Sequence, residues 1–348
     1  MRKLPLLLLS LAIISCVHRE KPPFLSDQTE TDNSLSLITQ KITAIPLETN
    51  PQCILTELKQ VKTAQSNIFV LSGNDIFRFN RSGSFINKIS IGKHTRVNNF
   101  TIDADDQHII VLDSLSMLHY YTFDGVLLVT KDAEIALFGG TILDLAYYDH
   151  FLWALTENIS ADNAFEKWLY KLNPAFRPIK GVRLSAIDLG RFYLDAGFSA
   201  EICVADHMVY VYTPFSYKQT LLRDTLYLLS DDRLNQERLS SFKETGHVFS
   251  AYSIPFRLGK RYMLASYQTH ASANANYLYC YDRKTNKSLD LNGLNDDFFH
   301  TGIVKDLRPA DLYNNEYYFF KSGNDILSAF PERDENANPV LFFIQLHG

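Results

Sequence analysis

The sequence contains few residues whose types and spacing match known catalytic chemistry. It lacks the H-E-x-x-H zinc motif, a Walker phosphate loop and the G-x-S-x-G nucleophile elbow. The nearest match to that elbow, GFSAE at 197–201, has glutamate in place of the final glycine. The spacings of Cys53, Cys203 and Cys280 match no zinc-binding pattern. We therefore predict no catalytic residue and no cofactor.

Three carboxylates form an alternative candidate site: Asp144, Glu201 and Asp306. A hard cation such as Ca²⁺ is held by several oxygen atoms that converge on one point. The three residues lie on or near segments that we expect to be the innermost strands of the fold, where their side chains would face a central channel. The same residues are equally expected in a water-filled channel that holds no metal.

A second set of residues suits ligand binding rather than catalysis. Aromatic rings beside hydrogen-bonding side chains are typical of sites for sugars or peptides. We expect these residues on loops that meet at one mouth of the channel, and the alternative is that they are solvated or cap sheet edges. They are Lys93, His94, Arg96, Asn99, Tyr193, Tyr252, His270, Asn274, Phe299 and His300.

The elements that must position these residues are β-hairpins. The segment FRFNRSGSFINKI alternates aromatic and β-branched residues on both sides of a turn that begins at Asn80. Similar segments turn at Thr122, Asn173, Asp231 and Asp282, which gives spacings of 42, 51, 58 and 51 residues. Asn, Asp and Gly favour such turns because they tolerate positive φ or hydrogen-bond their own backbone. The repetition predicts one structural unit that is used several times.

A further strand pair accompanies each hairpin, for example in the segments 99–114 and 142–156. The unit is therefore four strands in about 40 to 60 residues, which is the period of a propeller blade. Helical periodicity is nearly absent. The predicted fold is all-β, a six-bladed β-propeller.

The last blade is expected to close the ring with a strand from the other end of the domain. Residues 303–322 supply two strands around Asn314-Asn315, and 339–346 supply a third. The fourth is KITAIPLET, 41–49, which otherwise has no partner. Its addition outside the third strand would cover sheet edges that invite aggregation.

Several motifs carry a family resemblance. They are IPLET at 45–49, IFVLSGNDIFRFNRSGSFINKI in the first blade, IIVLDS and YTFDG in the second, and NPVLFFIQL at 338–346. With them, the chain resembles the six-bladed β-propeller lipoproteins of Gram-negative envelopes, most of which have no assigned function. The resemblance covers 42–346 and implies export, lipid anchoring and a propeller that binds a partner. A Gly-rich segment ending in Pro-Gly-Glu, frequent in that family, is replaced here by GKHTRVNNF at 92–100.

Residues 1–15 have the pattern of a secretory signal peptide, with Arg2 and Lys3 before an apolar core. That core is too short to span a bilayer, which takes about 20 residues. Cys16 directly follows Ser15, as in a bacterial lipobox, and we predict that it is lipidated. The alternative is an ordinary signal peptide with an incidental cysteine.

The mature chain is expected to have two parts. Residues 16–38 are polar and cannot bury enough apolar area to offset their ordering entropy, so we predict a flexible tether. Residues 39–348 form the propeller domain. Cys53, Cys203 and Cys280 then allow at most one disulfide, and the alternative is three buried thiols.

Charge limits the classes of partner. Without Arg2 and Lys3 the chain has 32 basic and 39 acidic residues, a net charge of −7, and no long basic run. This balance excludes a nucleic-acid footprint. We expect a protein lipid-anchored to the bacterial outer membrane, on either face. It would bind a glycan, a peptide or a partner envelope protein at the central mouth. The alternative function, which other six-bladed propellers imply, is a metal-dependent lactonase-like hydrolase that uses the channel.

Overall fold

The computed structural model describes residues 33–348 with gaps. The gaps are 93–94, 134–139, 163, 189–195, 198–200, 206–207, 214, 218–219, 224–225, 231–232, 238–248, 259–260, 270–271, 283, 286, 292 and 305. Within the strands, only the backbone is described at 187–188, 196–197, 215–217, 220–223, 226, 230, 233–237, 249–258, 265–269, 272–277, 279 and 287–291. The predicted signal peptide 1–15, the lipidation site Cys16 and residues 17–32 of the predicted tether lie outside this part of the chain.

After β1 (Thr39–Pro46), the first three sheets follow one another along the chain, and each is an antiparallel meander of four strands. Sheet I contains β2 (Leu58–Ala64), β3 (Asn67–Ser72), β4 (Asp75–Asn80) and β5 (Phe85–Ser90). Sheet II contains β6 (Val97–Asp103), β7 (His108–Asp113), β8 (Met117–Thr122) and β9 (Leu127–Asp132). Sheet III contains β10 (Thr141–Tyr148), β11 (Phe151–Ile159), β12 (Ala164–Leu172) and β13 (Pro178–Asp188).

Three more four-stranded sheets are present in the described residues, together with two small ones. The strands continue in chain order as β14 (Ala196–Gly197), β15 (Glu201–Ala205), β16 (Met208–Tyr212), β17 (Phe215–Tyr217), β18 (Thr220–Arg223), β19 (Leu226–Ser230) and β20 (Arg233–Glu237). They are followed by β21 (Phe249–Leu258), β22 (Tyr262–Thr269), β23 (Ser272–Asp282), β24 (Lys287–Leu291), β25 (Leu294–Asp296), β26 (Gly302–Val304), β27 (Arg308–Asp311), β28 (Glu316–Lys321), the short helix α1 (Asn324–Leu327) and β29 (Val340–Leu346). Sheet IV is β15-β16-β19-β20, sheet V is β21-β22-β23-β24, and sheet VI is β27-β28-β29-β1.

Neighbouring sheets pack face to face through shared apolar clusters. Phe69 and Phe100 belong to the cluster between sheets I and II, and similar clusters join II to III and III to IV. One cluster contains residues of IV, V and VI, and another joins VI back to I. Each sheet is thus covered on both faces, and the first strands adjoin in the order β27, β2, β6, β10, β15 and β21. The prediction of an all-β propeller is confirmed.

The predicted outer strand occupies its expected position beside the C-terminal strand. β1 pairs antiparallel with β29, with Ile42 opposite Ile344 and Ile45 opposite Leu341. The pairing provides the C-terminal strand with a second neighbour besides β28. The outermost strand of the last sheet therefore comes from the N-terminal end of the domain.

The hairpin turns are held by the residues that the repeat predicted. Asn80 Oδ1 accepts hydrogen bonds from the backbone nitrogens of Ser82 and Ser84, both at 2.9 Å, while Gly83 has a φ of +85°. Asn173 and Asp282 accept backbone hydrogen bonds in the same way. The predicted turn at Asp231 lies outside the described residues.

Residues 33–38 already pack onto the sheets, although the propeller domain was predicted to begin at residue 39. Leu35 and Ile38 are 0% and 1% exposed and belong to the cluster that joins sheets IV, V and VI. The backbone oxygen of Asn33 accepts a hydrogen bond from Asn295 N at 2.7 Å. The tether prediction is therefore wrong for residues 33–38, because two leucine-sized side chains spaced three apart supply enough apolar area to bind.

Cys53, Cys203 and Cys280 are all buried, and none of them forms a disulfide in the described part of the chain. All three belong to apolar clusters, and burial raises the pKa of the Cys280 thiol, so Cys280 is an inert packing residue. The interpretation of these cysteines as small buried hydrophobic residues is confirmed. No helix in the described part of the chain is long and apolar enough to cross a membrane.

Candidate functional site

A cavity of about 840 Å³ lies on the axis where the inner strands meet. Residues of β2, β6, β10, β15 and β27 line it, so five of the six sheets contribute described side chains. The inner strand of sheet V, β21, is described for its backbone only. A concave site of this size, with polar groups converging from several elements, is the usual form of a ligand pocket.

Lys62 on β2 places an ammonium group inside this cavity. Burial lowers its pKa, and the negative charges of Asp144, Glu201 and Asp311 oppose that effect. The nitrogen lies 5.8 Å from the centre of the Phe100 ring. Among the described residues, none forms a hydrogen bond with this ammonium or an ion pair within 4.0 Å.

Asp144 connects three sheets at the edge of the cavity. Its carboxylate accepts hydrogen bonds from Leu145 N at 2.8 Å, from Ile202 N at 2.7 Å, and from the side-chain amide of Asn99. Burial, and then the charge of Glu201, raise its pKa to about 7, although Lys62 and the backbone hydrogen bonds lower it. The group is thus poised to change its charge near neutral pH.

Bulges in the inner strands direct several of these side chains. The strand register shifts between Leu58 and Gln60, between Val97 and Asn99, and between Ile142 and Asp144. A bulge inserts a residue and re-aims the side chain that follows it. Gln60, Asn99 and Asp144 all line the cavity at these points.

The structure brings two of the three predicted metal-binding carboxylates to one site. Asp144 and Glu201 both line the cavity, whereas Asp306 forms an ion pair of 2.5 Å with Arg308. Arg308 also donates to the backbone oxygen of Lys59 at 3.0 Å. The three carboxylates therefore do not converge on one point, and Lys62 provides a cation in the field of the other two.

The residues predicted to bind a ligand do not all lie at the cavity. Lys93, His94, Tyr193 and His270 lie outside the described residues, and Tyr252 and Asn274 are described for their backbones only, on β21 and β23. Asn99 lines the cavity.

The remaining three predicted residues lie elsewhere. Arg96 is exposed and its backbone oxygen accepts from Ser114 N. Phe299 packs against Phe330 and Phe342, and His300 is exposed with a φ of +57°.

Sequence reasoning missed Lys62, Asp311 and two tyrosines. Tyr148 and Tyr313 also line the cavity, and Tyr313 is 43% exposed. The only signal available in the sequence was their position at or next to the ends of inner strands.

One group of metal-ligating side chains occurs in the described residues: Asp103, Asp106 and His108, whose ligand atoms lie within 4.8 Å of one another. Asp103 is buried and accepts from Asp106 N at 3.2 Å and from the Tyr120 hydroxyl at 3.3 Å. These bonds hold Asp103 and the turn between β6 and β7, whereas His108 Nδ1 is buried with no hydrogen-bond partner among the described residues.

The architecture and its axial cavity define the protein as a β-propeller with a ligand-sized central pocket. The family model described as "Domain of unknown function (DUF4934)" matches residues 24–345, and the chain belongs to that family. A search of the curated proteins finds no match.

Solved structures resemble the fold at low sequence identity. A Bacteroides fragilis protein described as exported is 14% identical, with a TM-score of 0.67, over 92% of this chain and 98% of that one. A Bacteroides caccae protein of unknown function is 13% identical, with a TM-score of 0.42, over 73% and 82% of the two chains. The β-propeller domain of Swd1 from Myceliophteria thermophila is 7% identical, with a TM-score of 0.48, over 88% and 100%.

Proposed function

We propose that this protein is an envelope-anchored binding module whose ligand enters the central cavity. The ligand would be a glycan, a peptide or an extended segment of a partner envelope protein. The observation that supports this function is the cavity of about 840 Å³, in which the ammonium of Lys62 has no partner among the described residues. A charged side chain that projects into an open pocket and has no protein partner is available to a ligand.

We also propose that all six four-stranded sheets are blades of one closed ring. The five apolar clusters support this count, because together they join each sheet to the next and sheet VI back to sheet I. A ring closed by β1 leaves the inner strands facing a common axis, which is the condition for a central ligand site.

The anchoring and location are part of the same proposal. Cys16 would receive the lipid, and the outer membrane would hold the protein through acyl chains. The exported relative from Bacteroides fragilis supports an envelope location. Cys16→Ala should move the protein from the membrane to the soluble fraction with an unchanged melting temperature. Continued partition of the variant into detergent would show that the anchor lies elsewhere.

The binding function is tested by a thermal-shift screen of the protein against panels of oligosaccharides and peptides. A ligand that binds only the folded protein raises the melting temperature by mass action. We expect a shift from a member of these panels and none from a chelator, calcium or zinc, because Asp306 is paired with Arg308 and does not join Asp144 and Glu201 at one point. A large chelator-sensitive shift, with lactone hydrolysis that is lost in Glu201→Gln, would instead support the lactonase-like alternative.

A further inference from the structure

Neighbouring inner strands run in the same direction along the cavity. The side-chain amide of Asn99 on β6 donates a hydrogen bond to Asp144 on β10. Further along both strands, Thr101 Oγ1 accepts a hydrogen bond from Tyr147 N at 3.0 Å. Just after β2, Gln65 Nε2 donates at 2.9 Å to the backbone oxygen of the residue that follows β6. The C-terminal ends of these three strands therefore form part of one mouth of the cavity.

Two tyrosines lie at the same mouth. Tyr148 ends β10, and Tyr313 follows β27 by two residues. Burial raises the pKa of the Tyr148 phenol, and the nearby Asp149 and Tyr313 raise it further, so residues of sheets III and VI approach each other here. The polar residues that line the cavity at these strand ends are exposed; they are Gln65, Asp105, Asp149 and Asn314. The described residues thus leave this end open to solvent.

The turns around this mouth have an unusual backbone. They connect the first and second strands of sheets I, II, III and VI, and each contains a residue other than glycine with positive φ. These residues are Gln65 (+54°), Gln107 (+56°), Asp149 (+52°), His150 (+61°) and Asn315 (+56°). Such a conformation is uncommon for residues with a side chain and clusters at ligand sites. The side chains at the rim are therefore carried on tight turns rather than on long loops.

Side chains already bond backbone groups that an added peptide strand would need. A peptide that extends a sheet pairs with N–H and C=O groups at its edge. On β2, Lys59 O accepts a hydrogen bond from Arg308, and Val61 N donates one to Tyr318 Oη, both at 3.0 Å. On β15, Ile202 N donates to a carboxylate of sheet III at 2.7 Å. Recognition of a ligand at these positions therefore depends on side chains.

Hydroxyl groups match the side chains that line the cavity. A hydroxyl donates one hydrogen bond and accepts two, so it can bond a carboxylate, an amide or an ammonium group. Asp149 and Asn314 supply the first two groups at the mouth, and Lys62 supplies the third. Lys62 precedes Gln65 by three residues, which is about 10 Å along a strand. A ligand that extends from the mouth to Lys62 must therefore be longer than one sugar ring.

We propose that the cavity binds an oligosaccharide that enters at this mouth, with one pyranose ring against the face of Tyr313 and the following rings directed toward Lys62. The exposed phenol ring offers an apolar face to the C–H groups of the sugar, and Asp149 and Asn314 can bond its hydroxyl groups. This inference rests on the proposed binding function and specifies its ligand class and its entrance.

Calorimetry of the full chain with cellotriose, maltotriose, mannotriose and chitotriose tests this assignment, and tetraalanine is the peptide probe. We expect at least one trisaccharide to bind, its monosaccharide to bind more weakly by about tenfold or more, and tetraalanine not to bind. Tyr313→Ala should weaken the trisaccharide by about tenfold or more, whereas Tyr313→Phe should retain the affinity because the ring remains. Lys62→Met should weaken the trisaccharide but not the monosaccharide.

Phe298→Ala is the matched control for Tyr313→Ala. Phe298 is 40% exposed, close to the 43% of Tyr313, but it lies in the turn after β25 rather than at the cavity. A peptide that binds while no oligosaccharide does would overturn this assignment and leave the binding module standing. An unchanged trisaccharide affinity in a folded Tyr313→Ala variant would overturn it too. Failure of every member of the oligosaccharide and peptide panels to bind would refute both proposals.

Discussion

The side-chain amide of Asn338 donates a hydrogen bond of 2.6 Å to the backbone oxygen of Glu48, although 290 residues separate them along the chain. The same amide donates to Cys53 O at 2.5 Å, and its oxygen accepts from Leu55 N at 2.9 Å. Asn338 is 3% exposed. One side chain thus connects the segment before β29 to the segment after β1.

Replacement of Asn338 by alanine should destabilise the fold. The change removes three side-chain hydrogen bonds and leaves buried backbone groups without partners, so we expect a loss of about 2 to 4 kcal/mol in the free energy of unfolding. Urea denaturation measures it. Asn336→Ala is the matched control, since Asn336 is exposed and should cost less than about 0.5 kcal/mol. Similar losses in the two variants would contradict the connecting role of Asn338.

Gly83 and Gly125 occupy similar hairpin turns, with φ values of +85° and +87°. A Cβ at Gly83 would lie 2.1 Å from Pro46 O at the end of β1, whereas at Gly125 it would meet Ile89 at an ordinary 3.4 Å. Gly125→Ala should cost about 1 kcal/mol from the backbone alone. Gly83→Ala should cost about 1 to 3 kcal/mol more from overpacking. Equal melting temperatures would show that the Gly83 turn does not pack on β1.

Leu35 should contribute to stability although it precedes the first strand. It is 0% exposed, so Leu35→Ala should cost about 2 to 5 kcal/mol in thermal or chemical unfolding. Leu127→Ala on β9 is the matched control, because Leu127 is 49% exposed and should change stability little. Truncation after residue 32 should be neutral, and truncation after residue 38 should lower the melting temperature. A stable protein beginning at residue 39 would show that residues 33–38 add nothing.

Asp144 should make stability depend on pH. Its folded pKa, about 7, lies above the ordinary value of 3.8, so the folded state holds a proton that the unfolded state has lost between these pH values. The free energy of unfolding should therefore fall as pH rises from about 4 to 7, by roughly 2 to 4 kcal/mol, and then level off. Asp144→Asn should remove this slope, whereas Asp132→Asn, on an exposed part of β9, should retain it. An unchanged slope in Asp144→Asn would assign the titration to another group.

Removal of the Lys62 charge should raise the pKa of Asp144. Its charge lowers the pKa of Asp144, so Lys62→Met should shift the upper end of the slope above pH 7. Carbon-13 NMR of the aspartate carboxyls follows the same change directly. An Asp144 titration that is unaffected by Lys62→Met would mean that the two groups are too far apart to interact.

The parts of the fold that depend on local chemistry were predictable from the sequence. Asn80 and Gly83 specify their turn by a side-chain hydrogen bond and a positive φ, and both effects act within four residues. The closing position of β1 was also predictable, because an apolar strand without a local partner needs a sheet edge to cover.

The cavity was harder to predict, for physical reasons. Lys62 lies in LKQVKTA, whose alternation looks the same whether its polar face meets outside solvent or a central cavity. Asp144 is directed inward through a bulge, which shifts the alternation by one residue. Leu35 is buried in the cluster that joins sheets IV, V and VI, and its turn contacts β25, so the residues that cover it are distant in the sequence.

The pairing of β1 with β29 also sets an order of events during biosynthesis. β1 leaves the ribosome roughly 300 residues before the strand that will hold it, and at about 5 to 20 residues per second that is a wait of at least 15 seconds. During this interval Ile42, Ile45 and the unpaired strand edge are open to other chains. The last sheet can be completed only after β29 arrives, so the protein remains incomplete throughout its synthesis and depends on whatever keeps that early strand from pairing with another chain.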